Sequence, residues 1–272
     1  MYKLAIALLA GMFGLQDPAL ASTIEQGEAE EHSSYHFDTE APYKPSADAM
    51  TEVDATLDRA RRSGKLAMIV MGANWCHDSI GLIEHLNKPE VSAVVKAGYE
   101  VQIVDVGYLD HSLHVATRFG LPVIYGTPTV LVIEPETETL LNASTLNLWR
   151  DAAAMPTEEV ISLFAGQPRT VTPEPEPTGE LARLLQEIKD FESKHAARIY
   201  GGFAIVGPML AADKRPEHFG SYWTQLRNLR YSITEDLTRL REEARTRVAA
   251  GETGITLDYP EYPAFDWEKQ DG

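Results

Sequence analysis

The chain has one cysteine in 272 residues, so it closes no disulfide within itself. Basic residues are scarce: 24 Lys and Arg against 41 Asp and Glu leave a net charge of -17. That balance argues against nucleic acid or an anionic membrane surface as a partner and favours solubility. No apolar run reaches the ~20 residues that a bilayer core requires. A Gly-rich phosphate loop, a Gly-x-Ser-x-Gly elbow and a His-Glu-x-x-His pair are all missing, and with them the usual marks of nucleotide binding, hydrolase chemistry and zinc proteolysis.

What is present begins with Lys3, an apolar run from Leu4 to Leu15, and a short segment ending Ala19-Leu20-Ala21. This pattern predicts a secretory signal peptide over residues 1–21, cut before Ser22, and hence a periplasmic or extracellular protein secreted across the inner membrane. No cysteine lies near the cleavage site, so no lipoprotein anchor is expected, nor membrane insertion of the mature chain. Cleavage removes Lys3 and Asp17 together and leaves the charge at -17. Exported proteins generally use cysteines in pairs. A lone thiol in an oxidising compartment is therefore either buried and inert or reactive by purpose.

Residues 22–46 are rich in glutamate and poor in apolar side chains, and read as a flexible acidic leader. His32 and His36 stand there at helical metal-ligand spacing, but no helix and no third ligand accompany them, so no metal site is expected. From residue 47 to 166 the pattern changes. Met50, Val53, Leu57 and Ala60 mark one buried helical face ending at Ser63-Gly64. Leu66 to Met71 is a continuous apolar run, the signature of a central strand covered on both faces. A helix carrying Ile80, Ile83 and Leu86 follows, then a strand over Tyr99 to Val106, a short helix with Leu113, Ala116 and Phe119, strands at Thr129 to Ile133 and Thr139 to Leu141, and a helix from Glu158 to Phe164 with Thr157 as its cap. The alternation predicts an α/β domain, a central sheet flanked by helices. Residues 167–178 read as a Pro-rich linker. Residues 179–250 read as two amphipathic helices separated by Gly201-Gly202 and Pro208, forming a hairpin packed on the first domain. The tail, 251–272, is acidic and aromatic and is expected to be extended.

Cys76 falls where the strand Leu66 to Met71 gives way to a helix. The thiolate is the reactive form of cysteine, and a helix N-terminus favours the anion through its unpaired N–H groups and dipole. A protonated or donating His77 would add to that, whereas Asp78 would oppose it. His111 and His114 are three apart, a spacing better explained by surface or packing roles than by metal. Glu84 and His85, two turns along the helix from Cys76, are expected to face solvent.

An apolar strand, Trp75-Cys76-x-x-Ser79, a helix, and Thr127-Pro128 about fifty residues later at the head of another strand together resemble the thioredoxin family, over roughly residues 47–166. The resemblance implies a thioredoxin-like fold in which Cys76 is the nucleophile, His77 and Ser79 tune it, and Trp75, Thr127 and a cis Pro128 form the substrate-docking loop. Two departures are informative. Ser79 stands where the family carries its resolving cysteine, and Val70 where thioredoxins commonly bury an acid. The first removes the internal thiol that would release a mixed disulfide; the second removes the base that would deprotonate that thiol. Such a monothiol site exchanges a client only when another thiol attacks. The resemblance therefore implies extracytoplasmic thiol-disulfide exchange of an isomerase or glutathione-linked type. Its partners would be protein clients with disulfides or free thiols, and it would use no cofactor beyond glutathione as a candidate co-substrate. Two alternatives stay open at this point: a redox-inactive binding or chaperone module using the same groove, and a thiol peroxidase-like enzyme.

Overall fold

The computed structural model describes residues 36–167 and 176–269. The expected signal peptide, His32 and most of the expected linker lie outside the described residues. The elements in order are α1 (Ala49–Ser63), β1 (Leu66–Gly72), α2 (His77–Leu86), α3 (Pro89–Gly98), β2 (Tyr99–Asp105), α4 (His114–Arg118), β3 (Thr129–Glu134), β4 (Thr139–Leu140), a 3-10 stretch at Leu146–Ala154, α5 (Thr157–Ala165), α6 (Gly179–Ala211) and α7 (Phe219–Ala249). The architecture is a mixed α/β sheet flanked by helices, followed by a helical hairpin.

The sheet runs β2-β1-β3-β4. β1 pairs parallel with β2 and antiparallel with β3, and all seven of its residues are buried. Because side chains alternate along a strand, β1 feeds two cores. Ala67, Ile69 and Met71 join Val53 and Leu57 of α1 and Leu226 and Ile233 of α7. Met68 and Val70 join Leu82 and Leu86 of α2, Val91 and Val95 of α3, Trp149 and Phe164. Val70, at the position where thioredoxins commonly carry an acid, is thus an ordinary core residue.

Four local expectations are corrected. Two helical segments went unpredicted: α3, which opens with Pro89 in its first turn, and the 3-10 stretch, kinked at Asp151. The cap of α5 is Pro156, with Thr157 already inside the helix; the Thr157 hydroxyl accepts a hydrogen bond from Lys88 Nζ at 2.9 Å instead. Residues 36–46, read as part of a flexible leader, are docked. Tyr43 is buried against Gly72, and its hydroxyl donates to the Ser79 carbonyl at 3.1 Å. Finally, Gly201-Gly202 and Pro208 do not separate two helices: α6 runs through all three, and the break is at Ala212–His218. Packing explains the glycines. A Cβ on Gly202 would lie 2.6 Å from Leu226 of α7, and one on Gly207 would lie 2.3 Å from the Tyr108 carbonyl oxygen. Gly202 thus permits the close approach of the hairpin helices, and Gly207 that of α6 to the α/β unit.

The tail after α7 has neither helix nor strand among its described residues, 251–269, yet it is not free in solvent. Ile255, Leu257 and Phe265 are buried. Arg198 pairs with Glu268 at 2.8 Å, and Gln225 Nε2 donates to Asp266 at 2.6 Å. The segment is strapped along the hairpin.

Candidate functional site

Cys76 is the N-cap of α2, in extended backbone, at the point where the chain leaves the C-terminal end of β1. Its amide donates to the Ala73 carbonyl at 3.1 Å, and its own carbonyl accepts the first bond of α2, from the Ile80 amide, at 3.1 Å. The turn before it is held by Asn74, whose amide donates to the Tyr43 carbonyl at 2.7 Å and whose oxygen accepts from the Tyr43 amide at 3.1 Å. The docked segment around Tyr43 thus fixes the approach to the cysteine.

The thiol meets the Thr127 loop directly. Cys76 Sγ donates to the Thr127 carbonyl at 3.2 Å, and Thr127 Oγ1 donates back to Sγ at 3.3 Å. The Thr127–Pro128 peptide bond is cis, the isomer the resemblance implies. Pro128 itself is buried, so Thr127 is what this loop presents to the thiol. Trp75 is held on the other side by its Nε1, which donates to the Gly107 carbonyl at 2.7 Å. Gly107 has a positive φ of 55°, and a Cβ there would collide with His111 and Asp110; glycine suits that turn on both counts.

Two of the expected tuners are not against the thiol. His77 is exposed at the start of α2, with no hydrogen bond to Cys76. The side chain of Ser79 is buried, and its Oγ accepts from the Ala73 amide at 3.4 Å. It supports the turn that carries the cysteine and makes no bond to Sγ. Asp78 turns toward the 3-10 stretch, where its carboxylate accepts from the Ala153 amide at 3.2 Å. His85 also departs from expectation: Glu84 is exposed, but His85 is buried, with Lys88 Nζ 3.1 Å from its Nδ1. Burial, followed by the Lys88 charge, pushes its pKa down.

Residues that the sequence reading did not assign to the site complete its surroundings. Cys76 opens into a pocket of about 180 Å³ that is also lined by Trp75, Thr127, Arg150, Trp223, Arg227, Arg230 and Tyr231. Four of these come from α7, and Trp223 meets Trp75 edge to face with ring centroids 6.0 Å apart. The hairpin therefore stands over the thiol. Arg150 bonds to Asn147 and, at 2.7 Å, to Thr234 Oγ1, and it lies 4.3 Å from the Tyr231 ring centroid. Arg230 is 4% exposed. Its guanidinium packs on the rings of Phe203 and Trp223, at 5.6 and 5.4 Å. Its Nε is buried with no hydrogen-bond partner, and its side chain has no carboxylate partner among the described residues. Burial pulls its pKa down to about 10, which still leaves it charged at neutral pH. A sequence signal for this face existed: Trp223, Arg227, Arg230 and Tyr231 recur at steps of four, three and one, a single stripe of α7. A larger groove of about 670 Å³ lies beyond Thr234, lined by residues that include Tyr125, Glu192 and Arg241, and does not reach Cys76. Among the described residues, no group of three or more His, Cys, Asp or Glu side chains is arranged to hold a metal ion.

No protein-family model matches the chain, and neither does any curated protein. Among solved structures, the chain is similar to a disulphide isomerase from Xylella fastidiosa Temecula1, at 29% identity over 46% of this chain and 95% of that one, with a TM-score of 0.43.

Proposed function

We propose that this protein carries out thiol-disulfide exchange through Cys76 alone, as a monothiol oxidoreductase or isomerase acting outside the cytoplasm. The observation that carries the reading is the environment of the sulfur. A half-buried thiol at a helix N-cap is bonded on both sides to Thr127, beside a cis Pro128, and opens into a pocket. The Thr127 hydroxyl is a donor aimed at the sulfur that would attack a disulfide. The thiolate of Cys76 attacks one sulfur of R–S–S–R, forming a Cys76 mixed disulfide and releasing RS⁻, which takes its proton from water. A second thiolate then attacks the mixed disulfide and returns Cys76 to its reduced form. No second cysteine exists to do this internally, so release belongs to an external thiol such as glutathione. Export is supported by the apolar run and small-residue cleavage site within residues 1–21.

The test is to recover the protein from its own compartment with thiols blocked, beside Cys76→Ala, and to measure its intact mass and its mobility on a non-reducing gel. An added mass or band, small or large, that reductant removes and Cys76→Ala lacks is the expected result. A chain with no adduct, whose Cys76 takes no thiol reagent until it is unfolded, would overturn the reading and leave a binding module.

A further inference from the structure

Arg230 poses a problem in electrostatics. A guanidinium taken out of water costs several kcal/mol unless it is paired, and it carries five N–H donors that require acceptors. Here its support is two aromatic faces, which recover part of that cost but accept no hydrogen bond in the guanidinium plane. The ionisable groups that act on it are, in falling order, Tyr231, the cation Arg150, Cys76 and the cation Arg227. No carboxylate is among them, although the chain as a whole is strongly acidic. The one carboxylate lining the pocket, that of Asp78, is engaged with the Ala153 amide. Three arginines, one of them buried and unpaired, thus converge on a small cavity that the thiol shares.

We propose that this pocket recognises an anionic group carried by a small thiol or disulfide, so that the helical hairpin selects acidic low-molecular-weight substrates for Cys76. The inference rests on the exchange reading above and narrows its substrate class. The pocket's size suits that class: about 180 Å³ holds roughly six waters, room for a short carboxylic acid. So does the covered docking loop, since Pro128 is buried and Trp223 stands against Trp75. Arg230 supplies the charge from inside the pocket and Arg227, exposed, from its rim; Arg150 lines the pocket too, but its guanidinium is already bonded to Asn147 and Thr234 and feels the carboxylates of Glu235 and Asp151. The chemistry is unchanged: Cys76 forms the mixed disulfide with the half of the substrate whose carboxylate the arginines hold, and the other half leaves as its thiolate.

The whole protein is incubated with three small disulfides of differing charge: dithiodipropionate (anionic), bis(2-hydroxyethyl) disulfide (neutral) and cystamine (cationic). The rate of adduct formation at Cys76 is followed by intact mass. Net charge alone would draw the cationic reagent to this acidic chain. The proposal requires the reverse order, with dithiodipropionate faster than cystamine by roughly ten-fold or more, the scale of one hydrogen bond to a charged group. Arg230→Met should collapse that ratio, and Arg227→Glu, an exposed change that leaves the core intact, should reduce it. Equal rates for the three reagents, or an anionic preference that survives both substitutions, would overturn the inference while exchange itself stands. No adduct with any reagent on the folded protein would overturn the exchange reading, and this inference with it.

Discussion

Thr127 offers the thiol two atoms, a hydroxyl that donates to Sγ and a carbonyl that accepts from it. Only the hydroxyl helps once the proton has left, because a carbonyl oxygen has nothing to donate to an anion. Thr127→Val keeps the shape and removes that donor. We expect Cys76 to react with a disulfide roughly ten-fold more slowly at neutral pH, since a hydrogen bond to a charged group contributes about 1.5 kcal/mol or more; a stopped-flow labelling rate measures it. Tyr43 acts on the same turn from beneath. Tyr43→Phe removes its bond to the Ser79 carbonyl and should cost about 1 kcal/mol, read as a lower urea midpoint with an unchanged slope. At this scale the sequence was informative about what lies along the chain and blind to what lies across it. Cys76, Trp75, Thr127 and Pro128 were legible because a strand, a helix start and a Thr-Pro step each leave a local mark. Ser79 could not be assigned a direction, because whether the third residue of a helix looks at the thiol or into the core depends on what the helix packs against. The stripe of α7 that carries Arg230 leaves a local mark, but Arg150 and Arg230 stand 74 and 154 residues beyond the cysteine in the sequence, and nothing local says what that stripe meets.

Along α6, glycines of the same helix have opposite meanings. Gly201 has nothing within 4 Å of where its Cβ would stand, whereas Gly207 faces the Tyr108 carbonyl at 2.3 Å. Gly201→Ala should therefore stabilise the protein by about 0.5–1 kcal/mol, the ordinary gain of alanine over glycine inside a helix. Gly207→Ala should destabilise it by about 1–3 kcal/mol, because backbone must move. The pair is read as midpoint shifts of opposite sign in chemical denaturation. The loop that Gly207 touches is the one whose Gly107 carbonyl holds Trp75, so Gly207→Ala should also slow Cys76 labelling, and Gly201→Ala should not. The same helix shows why punctuation misled the sequence reading. Gly201, Gly202 and Pro208 each weaken a helix by propensity. α6 continues because Phe203, Val206 and Leu210 are buried among them, and Pro208 comes only one turn before the end. α3 was overlooked for the converse reason: Val91, Val95 and Gly98 make a short apolar face of one helix between two stronger signals.

At the scale of the whole chain, His195 links acidity to the seating of the tail. It is buried on α6 beside Phe191 and Tyr262. Burial first, then the charges of Arg198 and Lys194, pull its pKa to about 4, against the opposing charge of Glu268. The ordinary histidine value is near 6.5, so between the two the unfolded chain binds the extra proton and the folded one does not. Stability from this group is full above pH 6.5 and is lost as pH falls toward 4. We expect the denaturation midpoint to decline across that window, and His195→Phe to flatten the decline. Hydrogen bonds from Arg118 and Arg183 pull the carboxylates of Glu138 and Glu180 below their ordinary value, so these groups add a further loss of stability as they are protonated in acid.

The edge-to-face meeting of Trp75 and Trp223 joins one indole next to the sulfur to another on the hairpin. Two indoles at that distance couple optically, giving a handed near-ultraviolet signal that exists only while the hairpin is seated. Trp75 is the chain neighbour of Cys76, so a disulfide formed there is expected to quench its emission. Near-ultraviolet circular dichroism compared with Trp223→Phe should therefore isolate the signal of the seated hairpin, and fluorescence compared with Trp75→Phe the signal of the occupied thiol, both without any label.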